Sequence, residues 1–384
     1  MRRESATPRP NHEQLVREQG LVYNETVLED GSVRPFWDES ACYAFSLDEI
    51  LQLEQTTQTL HQLCLQAVDH VITRRRYQQF AIPQFAWRAI EETWEEDSPS
   101  IYGRFDLRYD GSGPAKLLEY NADTPTSLLE AAAIQWYWLE EARPSRDQWN
   151  SLHERLVAAW QRHAPRIPER RVHFAYTAAE ESGEDLITVT YLAETATQAG
   201  LSAATLTMEE IGWDNQHWRF CGPDREPLTT VFKLYPWEWM FADEFGQRAL
   251  EYKVTRWIEP AWKCILANKA ILALLWELFP GHPNLLPASL DGPAGLTSYV
   301  RKPILGREGA NVELVTPGSS YSQPGPYGEE GYVYQQYAPL PDFEGRYPVL
   351  GAWVVDGEPA GLGIREADTL ITSNVSRFVP HLID

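Results

Sequence analysis

The chain has 384 residues, with 55 acidic and 33 basic side chains, and its formal net charge at pH 7 is −22. This charge repels nucleic acid phosphates and anionic membrane surfaces, so neither is expected as a partner. A cationic small molecule such as a polyamine would be attracted, although acidity that only keeps the protein soluble is the simpler explanation of the charge. Because a single hydrophobic core rarely exceeds about 250 to 300 residues, we expect several lobes around one cleft.

Cysteine usage and apolar runs bear on the cellular compartment. The four cysteines, Cys42, Cys64, Cys221 and Cys264, lie far apart and form no C-x-x-C pair, which fits a reducing environment. The first ten residues carry arginines but no apolar segment, and the longest apolar runs are too short to cross a bilayer. The sequence therefore predicts a cytoplasmic protein without a signal peptide or a membrane span.

The first predicted element is a long amphipathic helix. Ser46 and Glu49 have the spacing of a capping box, in which each side chain binds the backbone N–H of the other residue. Apolar residues follow at helical spacing from Leu47 and Leu51 to Val71. The pattern predicts a helix whose apolar side, including Leu47 and Leu51, faces the core.

Two predicted strands with polar faces follow, over residues 104–110 and 116–121, and Asp110-Gly111 turns the chain between them. Alternation of side chains places Arg104 and Asp106 on one face of the first strand. On the neighbouring strand it places Glu119 and Asn121 on the same face as Leu117, with Leu118 on the other. Four polar side chains can therefore converge.

The chemistry of this strand pair has more than one interpretation. Asp, Glu and Asn oxygens are hard ligands that suit Mg²⁺, which takes its remaining ligands from phosphates and water. A solvated strand face explains the spacing equally well, and a pair of carboxylates also occurs in glycoside hydrolases. An arginine and an asparagine in the same row favour a phosphate and a metal over a sugar.

The middle of the chain reads as alternating helices and strands. Ser127 and Glu130 repeat the capping-box spacing and predict the start of a helix. A strand over 172–177, a helix over 185–198 and a strand over 202–208 indicate an α/β lobe over about residues 165–255. Residues 252–278 are predicted to be mostly helical up to Pro280-Gly281, and the last third to be rich in strands, with a hairpin at Asp356-Gly357.

Residues 301–312 combine a predicted strand with a loop that contains glycines. Lys302 lies on the strand and Gly306 and Gly309 in the loop, and their spacing is not that of a Walker A motif. Glycines let backbone amides approach phosphate oxygens and a lysine adds a point charge, although a structural hairpin loop is at least as common. Lys269, in an otherwise apolar predicted helix, either reaches solvent or points to an anion.

Amide, arginine and aromatic side chains mark three further candidate binding positions. The predicted strand 332–337 contains Gln335 and Gln336, whose amides could read an adenine edge, or it is a plain core strand. Arg365 lies at a strand end, where it could stabilise phosphoryl charge or form a surface salt bridge. Trp239 belongs to an aromatic group around one carboxylate, as in the wall of a ligand pocket or in an ordinary core.

Taken together, several segments resemble the glutathionylspermidine synthetase family, a group of ATP-grasp ligases that form amide bonds. These segments are GRFD at 103–106, LEYNAD at 118–123, YPWEW at 235–239, EPAW at 259–262, NK at 268–269, KP at 302–303, REGANV at 307–312, GIRE at 363–366 and SRFVPH at 376–381. The resemblance runs from about residue 10 to the end. It is closest to the free-standing bacterial acid–amine ligases, which lack the amidase domain of bifunctional members, so hydrolysis of the product is not expected.

The resemblance implies a mixed fold of α+β and α/β type, the ATP-grasp fold in the permuted order of eukaryotic glutathione synthetases. It implies one unit over residues 1–384, with an ATP-binding lobe over about residues 265–384. The implied activity is ATP- and Mg²⁺-dependent ligation of a carboxylic acid to an amine through an acyl phosphate, with a glutathione-like peptide acid and a polyamine-like amine. The alternative is an ATP-binding or ATP-hydrolysing protein with a regulatory role and no amide product.

The resemblance also implies roles for individual residues. The metal ligands would be Asp106, Glu119 and Asn121, and the catalytic residues at the acyl phosphate would be Arg104 and Arg365. ATP would contact Arg104, Lys269, Lys302, Gly309, Gln335, Gln336 and Ile371. The substrates would contact Thr124, Thr126, Glu180, Glu181 and Trp239.

Overall fold

A computed structural model describes residues 1–27, 31–180, 182–372 and 375–384, so the predicted substrate residue Glu181 lies outside the described residues. The strands are β1 Arg2–Ser5, β2 Glu25–Val27, β3 Val33–Pro35, β4 Ala41–Phe45, β5 Tyr102–Arg108, β6 Lys116–Asn121, β7 Arg171–Tyr176, β8 Ser202–Thr207, β9 Gly212–Asp214, β10 Arg219–Cys221, β11 Thr230–Leu234, β12 Arg256–Ile258, β13 Ala288–Ser289, β14 Tyr299–Pro303, β15 Glu313–Thr316, β16 Ser319–Ser322, β17 Tyr332–Gln336, β18 Tyr347–Val355, β19 Glu358–Ala367, β20 Arg377–Phe378 and β21 His381–Ile383.

The α-helices are α1 His12–Glu18, α2 Leu47–Arg74, α3 Trp87–Glu95, α4 Gln135–Ala142, α5 Leu152–His163, α6 Glu184–Gln198, α7 Trp237–Ala242, α8 Gly246–Glu251, α9 Lys263–Ala267 and α10 Ile271–Leu278. A π-helical turn, Glu130–Ile134, leads into α4. Short 3₁₀ turns lie at Tyr77–Phe80, Gln84–Ala86, Ala164–Arg166, Pro168–Arg170 and Met208–Glu210.

A five-stranded antiparallel sheet in the order β20-β19-β18-β5-β6 carries the polar strand pair. In it Asp106 lies opposite Glu119 and Arg104 opposite Asn121. The predicted hairpin at Asp356-Gly357 joins β18 to β19 and is confirmed. The first polar strand spans Tyr102–Arg108, two residues earlier than predicted, because Asp110 already belongs to the turn that it forms with Ser112.

Two further sheets lie, in the sequence, between the polar strand pair and β18. A parallel sheet in the order β12-β11-β7-β8 contains the predicted strand–helix–strand unit, with helix α6 between β7 and β8. An antiparallel sheet in the order β13-β17-β14-β15-β16 carries Lys302 on β14 and Gln335 on β17. The mixed architecture agrees with the predicted fold class, and the last third is rich in strands as expected.

Helix α2 begins at the predicted capping box, where Ser46 and Glu49 bind each other's backbone N–H groups. It packs on β18, β19 and α10, and its buried side includes Leu60 and Val68. The prediction for two of its residues is wrong, because the Leu47 and Leu51 side chains are 55% and 51% exposed. Leu51 points away because it is rotated by about 100° from the buried Ile50 around the helix.

A register shift in the polar strand pair overturns the prediction for two leucines. Asp106 lies opposite Glu119, but the next residue, Leu107, lies opposite Leu117, so Leu118 is an extra residue in the ladder. Such an irregularity reverses the alternation of side chains. Leu117 therefore packs in the core while Leu118 lines a cavity beside Glu119.

Two predictions of helical structure are corrected. Ser127 and Glu130 do not form a capping box, because the Ser127 hydroxyl donates to Glu184 and the Glu130 carboxylate accepts from Tyr23 instead. Residues 252–278 are not mostly helical, because β12 takes its place in the parallel sheet and Pro260 follows it before α9 begins. Helix α10 does end before Pro280-Gly281.

Among the described residues, no helix is both long and apolar enough to cross a membrane.

Candidate functional site

A cavity of about 710 Å³ lies where strands of the two antiparallel sheets meet the loop before α6. Every predicted site residue that the structure describes lines it, although this proximity does not test their roles. These residues are Arg104, Asp106, Glu119, Asn121, Thr124, Thr126, Glu180, Trp239, Lys269, Lys302, Gly309, Gln335, Gln336, Arg365 and Ile371. The cavity thus brings together residues from strands that are distant in the sequence.

At its centre, Asp106 is held between two arginines. Arg104 Nε lies 2.7 Å from one carboxylate oxygen and Arg365 Nη2 lies 2.5 Å from the other, and the Asp106 residue is only 2% exposed. A side chain at Gly351 on β18 would sit 2.8 Å from Arg104 Cδ, so only glycine leaves room for this arginine. The Arg104 guanidinium also lies 5.6 Å from the centre of the Trp353 ring, which adds a cation–π contact.

Two lysines approach the neighbouring carboxylate, Glu119. Lys269 Nζ lies 3.2 Å from a Glu119 oxygen, so this lysine points to an anion, one of its two predicted interpretations. Burial opposes ionisation of Glu119, but the charges of Lys269, Lys302 and Arg365 lower its pKa strongly, so it is a carboxylate at neutral pH. Burial lowers the pKa of Lys302 to about 8.

The three predicted metal ligands offer side-chain chemistry that suits Mg²⁺. Asn121 Nδ2 lies 3.3 Å from both an Asp106 and a Glu119 oxygen, so the three side chains share one corner of the cavity. They offer two carboxylates and an amide, which are the hard oxygen ligands that Mg²⁺ prefers when phosphates supply the rest. Among the described residues, no three or more His, Cys, Asp or Glu side chains form a metal cluster, so the set would depend on its nucleotide for further ligands.

The nucleotide-binding residues predicted on β14 and β17 are linked to each other. Lys302 Nζ donates to Gln335 Oε1 and to the Leu118 carbonyl, both at 2.9 Å. Gln335 Nε2 in turn donates to the Leu117 carbonyl, so its side chain positions the lysine. Gln336 is exposed and its backbone N–H is bound by the Pro287 carbonyl. Adenine contacts of the two glutamines stay a prediction.

The glycine-containing loop before β15 crosses the cavity and contacts its far side. Lys269 Nζ donates to the Gly306 carbonyl at 2.7 Å. Arg307 bridges to the Thr124 hydroxyl at 3.0 Å and to Glu238 at 3.1 Å, and it lies over the Trp239 ring at 5.2 Å. The loop therefore joins α7 to the site.

Gly309, in the same loop, packs against the segment that contains Ile371. Its φ is +72°, and an added Cβ would lie 2.7 Å from the Thr372 carbonyl oxygen and 2.9 Å from an Ile371 methyl carbon. A glycine is required here for both conformation and space. Two of the predicted nucleotide contacts, Gly309 and Ile371, are thus in contact with each other.

Three acidic residues of the same cavity, Glu180, Glu184 and Asp185, form what we call the acidic recess. The Glu180 carboxylate accepts backbone N–H groups of Ser182, Gly183 and Asp185, so it caps helix α6. Sequence reasoning missed Glu184 and Asp185, which line the cavity. The signal that could have found them is the density of acids over residues 180–185, directly before an apolar helix.

Burial shifts the proton affinity of this recess. Burial raises the pKa of Glu184, and it raises the pKa of Asp185 to about 7 with help from the Glu184 and Glu180 charges. Glu130, which is 0% exposed, has its pKa raised to about 8 by burial and by the Glu184 charge. Within the described residues, no basic side chain forms an ion pair with Glu184 or Asp185.

Comparison with known proteins gives consistent results. The family described as glutathionylspermidine synthase preATP-grasp matches residues 3–384. A Haemophilus influenzae protein named "Putative acid–amine ligase" is 41% identical, with 99% of each chain covered. A trypanothione synthetase of Crithidia fasciculata is 29% identical over 83% of this chain, and a bifunctional glutathionylspermidine synthetase/amidase of Escherichia coli is 28% identical over 86%.

These last two relatives are longer, and this chain spans 53% and 57% of their lengths. Among solved structures, the apo form of a glutathione synthetase-like effector from Globodera pallida is similar, with a TM-score of 0.56 at 10% identity. The similarity covers 99% of this chain and 100% of that one. At this identity it is a likeness of fold alone.

Proposed function

The chain belongs to the glutathionylspermidine synthase preATP-grasp family, a family of ATP-dependent ligases with the ATP-grasp fold, and from this membership we propose that it joins a carboxylic acid to an amine in the cavity described above. The predicted family and fold class are confirmed. The reaction would pass through an acyl phosphate, formed when the acid attacks the γ-phosphate of ATP. The lobes expected over residues 165–255 and 265–384 would supply the substrate side and the nucleotide side.

The observation that carries this proposal is the convergence of four cationic side chains on two carboxylates at the centre of one cavity. Arg104 and Arg365 contact Asp106, and Lys269 contacts Glu119 while Lys302 lies close enough to lower its pKa. Positive charge in excess of the carboxylates suits the triphosphate and the transferring phosphoryl group. A solvated strand face would not be buried in this way.

In the first step, Lys269 and Lys302 would hold the phosphates of ATP, while Arg104 and Arg365 orient the acid and the γ-phosphate. Asp106, Glu119 and Asn121 would hold Mg²⁺, which when bound supplies charge neutralisation to the phosphates. Both arginines already have fixed positions through Asp106, so little reorganisation accompanies the reaction. The loop that contains Gly309 would exclude water, which otherwise hydrolyses an acyl phosphate.

In the second step, the amine would attack the carbonyl carbon of the acyl phosphate and phosphate would leave. Arg104 would stabilise the oxyanion of the tetrahedral intermediate; it is buried, and its Nη1 donates to the Thr126 carbonyl at 2.7 Å, which fixes its position. Thr124, Thr126 and Trp239 line the same cavity as this centre and the acidic recess. They are the proposed contacts of the substrates.

The relatives and the charge of the cavity suggest the substrate classes. Glutathionylspermidine and trypanothione synthetases carry names of products that contain a peptide acid and a polyamine. The acidic recess lacks a basic partner within the described part of the chain, which suits a cationic amine. We therefore propose a small peptide acid resembling glutathione and a polyamine resembling spermidine as the substrates.

The test is a screen of ADP release with Mg²⁺, ATP, small peptides including glutathione, and polyamines including spermidine. Hydroxylamine in place of the polyamine traps an acyl phosphate as a hydroxamate, which reports the first step alone. Release of ADP that requires an acid, together with an amide detected by mass spectrometry, supports the ligase. ADP release at one rate whatever is added, without amide or hydroxamate, contradicts it and favours the regulatory ATP-binding alternative.

A further inference from the structure

Behind the acidic recess lies a buried carboxyl group, Glu130, that does not line the cavity and that the proposed reaction has not yet used. Glu130 is 0% exposed, and only one of its oxygens is bound, by the Tyr23 hydroxyl at 2.8 Å. Its other oxygen, Oε2, has no hydrogen-bond partner among the described residues. Because an unsatisfied buried carboxylate is costly, a proton on this group is the simplest explanation.

Glu130 is the first residue of the π-helical turn Glu130–Ile134. Such turns are rare and occur frequently at functional sites. The turn follows Ser127, a buried residue with a φ of +62° that only a few side chains tolerate. The local backbone is therefore shaped to hold the Ser127 hydroxyl and the Glu130 carboxyl in place.

Glu184 connects this buried group to the reaction centre. It lines the cavity and accepts a hydrogen bond from the Ser127 hydroxyl at 3.3 Å. The preceding residue, Thr126, accepts a hydrogen bond from Arg104 at 2.7 Å through its carbonyl oxygen. Glu184 is therefore separated from the arginine at the acyl centre by only one peptide unit.

We propose that Glu184 is the general base that takes a proton from the incoming ammonium group, and that its buried neighbour Glu130 is a positioning residue for it. This inference rests on the proposed ligase function and adds a residue to its second step. Asp185 lies in the same recess, but in the described part of the chain no hydrogen bond of its side chain links it to the segment 124–127 that leads to Arg104.

A base is needed because an alkyl amine carries a proton at neutral pH and has no lone pair for attack. Glu184 takes one proton from the ammonium group, which leaves a neutral amine. The amine nitrogen forms a bond to the acyl carbon, the bond from that carbon to the phosphate oxygen breaks, and the departing phosphate takes the second proton from nitrogen. The products are a secondary amide, hydrogen phosphate and protonated Glu184, which then releases its proton to solvent.

Burial and neighbouring positive charges act in opposite directions on the pKa of Glu184. Burial raises its pKa and the charge of Glu308 does so further, whereas Arg104 and Arg365 lower it. Glu130 and Glu184 influence each other, because the Glu184 charge raises the pKa of Glu130. Because Glu130 keeps a proton below its pKa of about 8, it places no negative charge beside Glu184 at neutral pH, and the Glu184 carboxylate can accept a proton from the substrate.

The test compares two nucleophiles on the same acyl phosphate. The acid and the polyamine that wild type converts fastest in the screen are used, and hydroxylamine serves as a nucleophile that is largely uncharged near neutral pH. Glu184→Gln should slow amide formation by about a hundredfold or more, the contribution expected of a general base. Hydroxamate formation should stay within about threefold of wild type, because no base is needed for an uncharged nucleophile.

The matched control is Glu194→Gln, the same substitution at an exposed position of helix α6, which should change neither rate. In Glu184→Gln the residual amide rate should rise about tenfold per pH unit, because only amine that is already neutral can react. Glu130→Gln keeps the neutral state that Glu130 holds below its pKa of about 8, so both rates should stay near wild type at about pH 7, whereas Glu130→Ala, which cannot bind Tyr23, should slow amide formation but not hydroxamate formation.

Several results would overturn the assignment. Equal loss of amide and hydroxamate in Glu184→Gln would indicate a structural role, and no loss of either would exclude Glu184 as the base. Selective loss in Asp185→Asn but not in Glu184→Gln would move the base to Asp185. Should Glu184→Gln fail to fold, Glu184→Asp, which keeps a shorter carboxylate, must show the same selective loss of amide formation. Wild type that forms no hydroxamate with any acid would refute the proposed function itself, a different outcome from failure of the base alone.

Discussion

Replacement of Asp106 by asparagine removes the charge that both Arg104 and Arg365 contact. The two arginines lie 2.7 and 2.5 Å from its carboxylate, and all three side chains are largely buried. Removal of one member of a buried ion pair costs about 3–5 kcal/mol, and asparagine retains one acceptor oxygen, so we expect a loss of about 3 kcal/mol in the free energy of unfolding. Asp110→Asn, on the same hairpin, breaks an outer pair with Arg108 and should cost less than about 1 kcal/mol.

The same change should reduce catalysis, because Asp106 is a proposed metal ligand and fixes both arginines at the phosphoryl group. A loss of about 3 kcal/mol in transition-state stabilisation slows turnover on the order of a hundredfold. Urea unfolding without nucleotide and ADP release with acid and amine measure the two effects separately. Reduced stability with full turnover would refute the metal and catalytic assignment alone. Wild-type stability in Asp106→Asn would refute the electrostatic argument.

Three further changes probe other parts of the cavity. Burial holds the pKa of Lys302 at about 8, so ATP affinity measured by calorimetry should fall above that pH. The lysine of the free protein is then neutral, and it must take up a proton before it can bind a phosphate. An affinity that is equal at about pH 7 and about pH 9 contradicts the phosphate contact. Gly309→Ala places a Cβ 2.7 Å from the Thr372 oxygen and should raise the ratio of ADP to amide through leakage of the acyl phosphate, whereas Gly318→Ala, with φ +86° but open space, should leave that ratio unchanged. Glu180→Ala removes the cap of helix α6 and should lower the free energy of unfolding by about 1 kcal/mol. Burial raises the pKa of Glu180, but hydrogen bonds from Ser182 and neighbouring backbone N–H groups outweigh it and hold this pKa below its usual range. The difference in stability from wild type should therefore vanish as pH falls through that lowered pKa, and a difference that persists would contradict the capping role.

Local periodicity was sufficient to find the centre of the candidate site. Arg104 and Asp106 share a strand face because they are two residues apart, and Asp110-Gly111 indicated a turn that brings Glu119 opposite. The exchange of Leu117 and Leu118 could not be predicted, because the extra residue in the ladder depends on how the partner strand is paired. The polar pair escapes this shift, since the irregularity begins only after Asp106.

Contacts between distant segments decided the features that sequence reasoning missed. The Ser127 and Glu130 spacing fits a capping box, but Glu184 and Tyr23 bind these side chains instead, from positions more than fifty residues away in each case. Glu184 itself reads as an ordinary acid in the first turn of a helix. Its proximity to Arg104 depends on the connection after β6, which no local pattern reveals.

The phosphate end of the cavity, around Asp106 and Glu119, differs from the acidic recess in how the charges of its carboxylates are neutralised before any ligand binds. At the phosphate end, Arg104 and Arg365 contact Asp106 and Lys269 contacts Glu119, so nucleotide binding exchanges one anionic partner for another. In the acidic recess, no basic side chain of the described residues forms an ion pair with Glu184 or Asp185, and burial together with the Glu184 and Glu180 charges raises the pKa of Asp185 to about 7, so protons neutralise part of its charge. A cation that enters the recess therefore displaces protons instead of a protein side chain. Since displaced protons are measurable, amine binding in this family member should release protons to the buffer near neutral pH, whereas nucleotide binding should not.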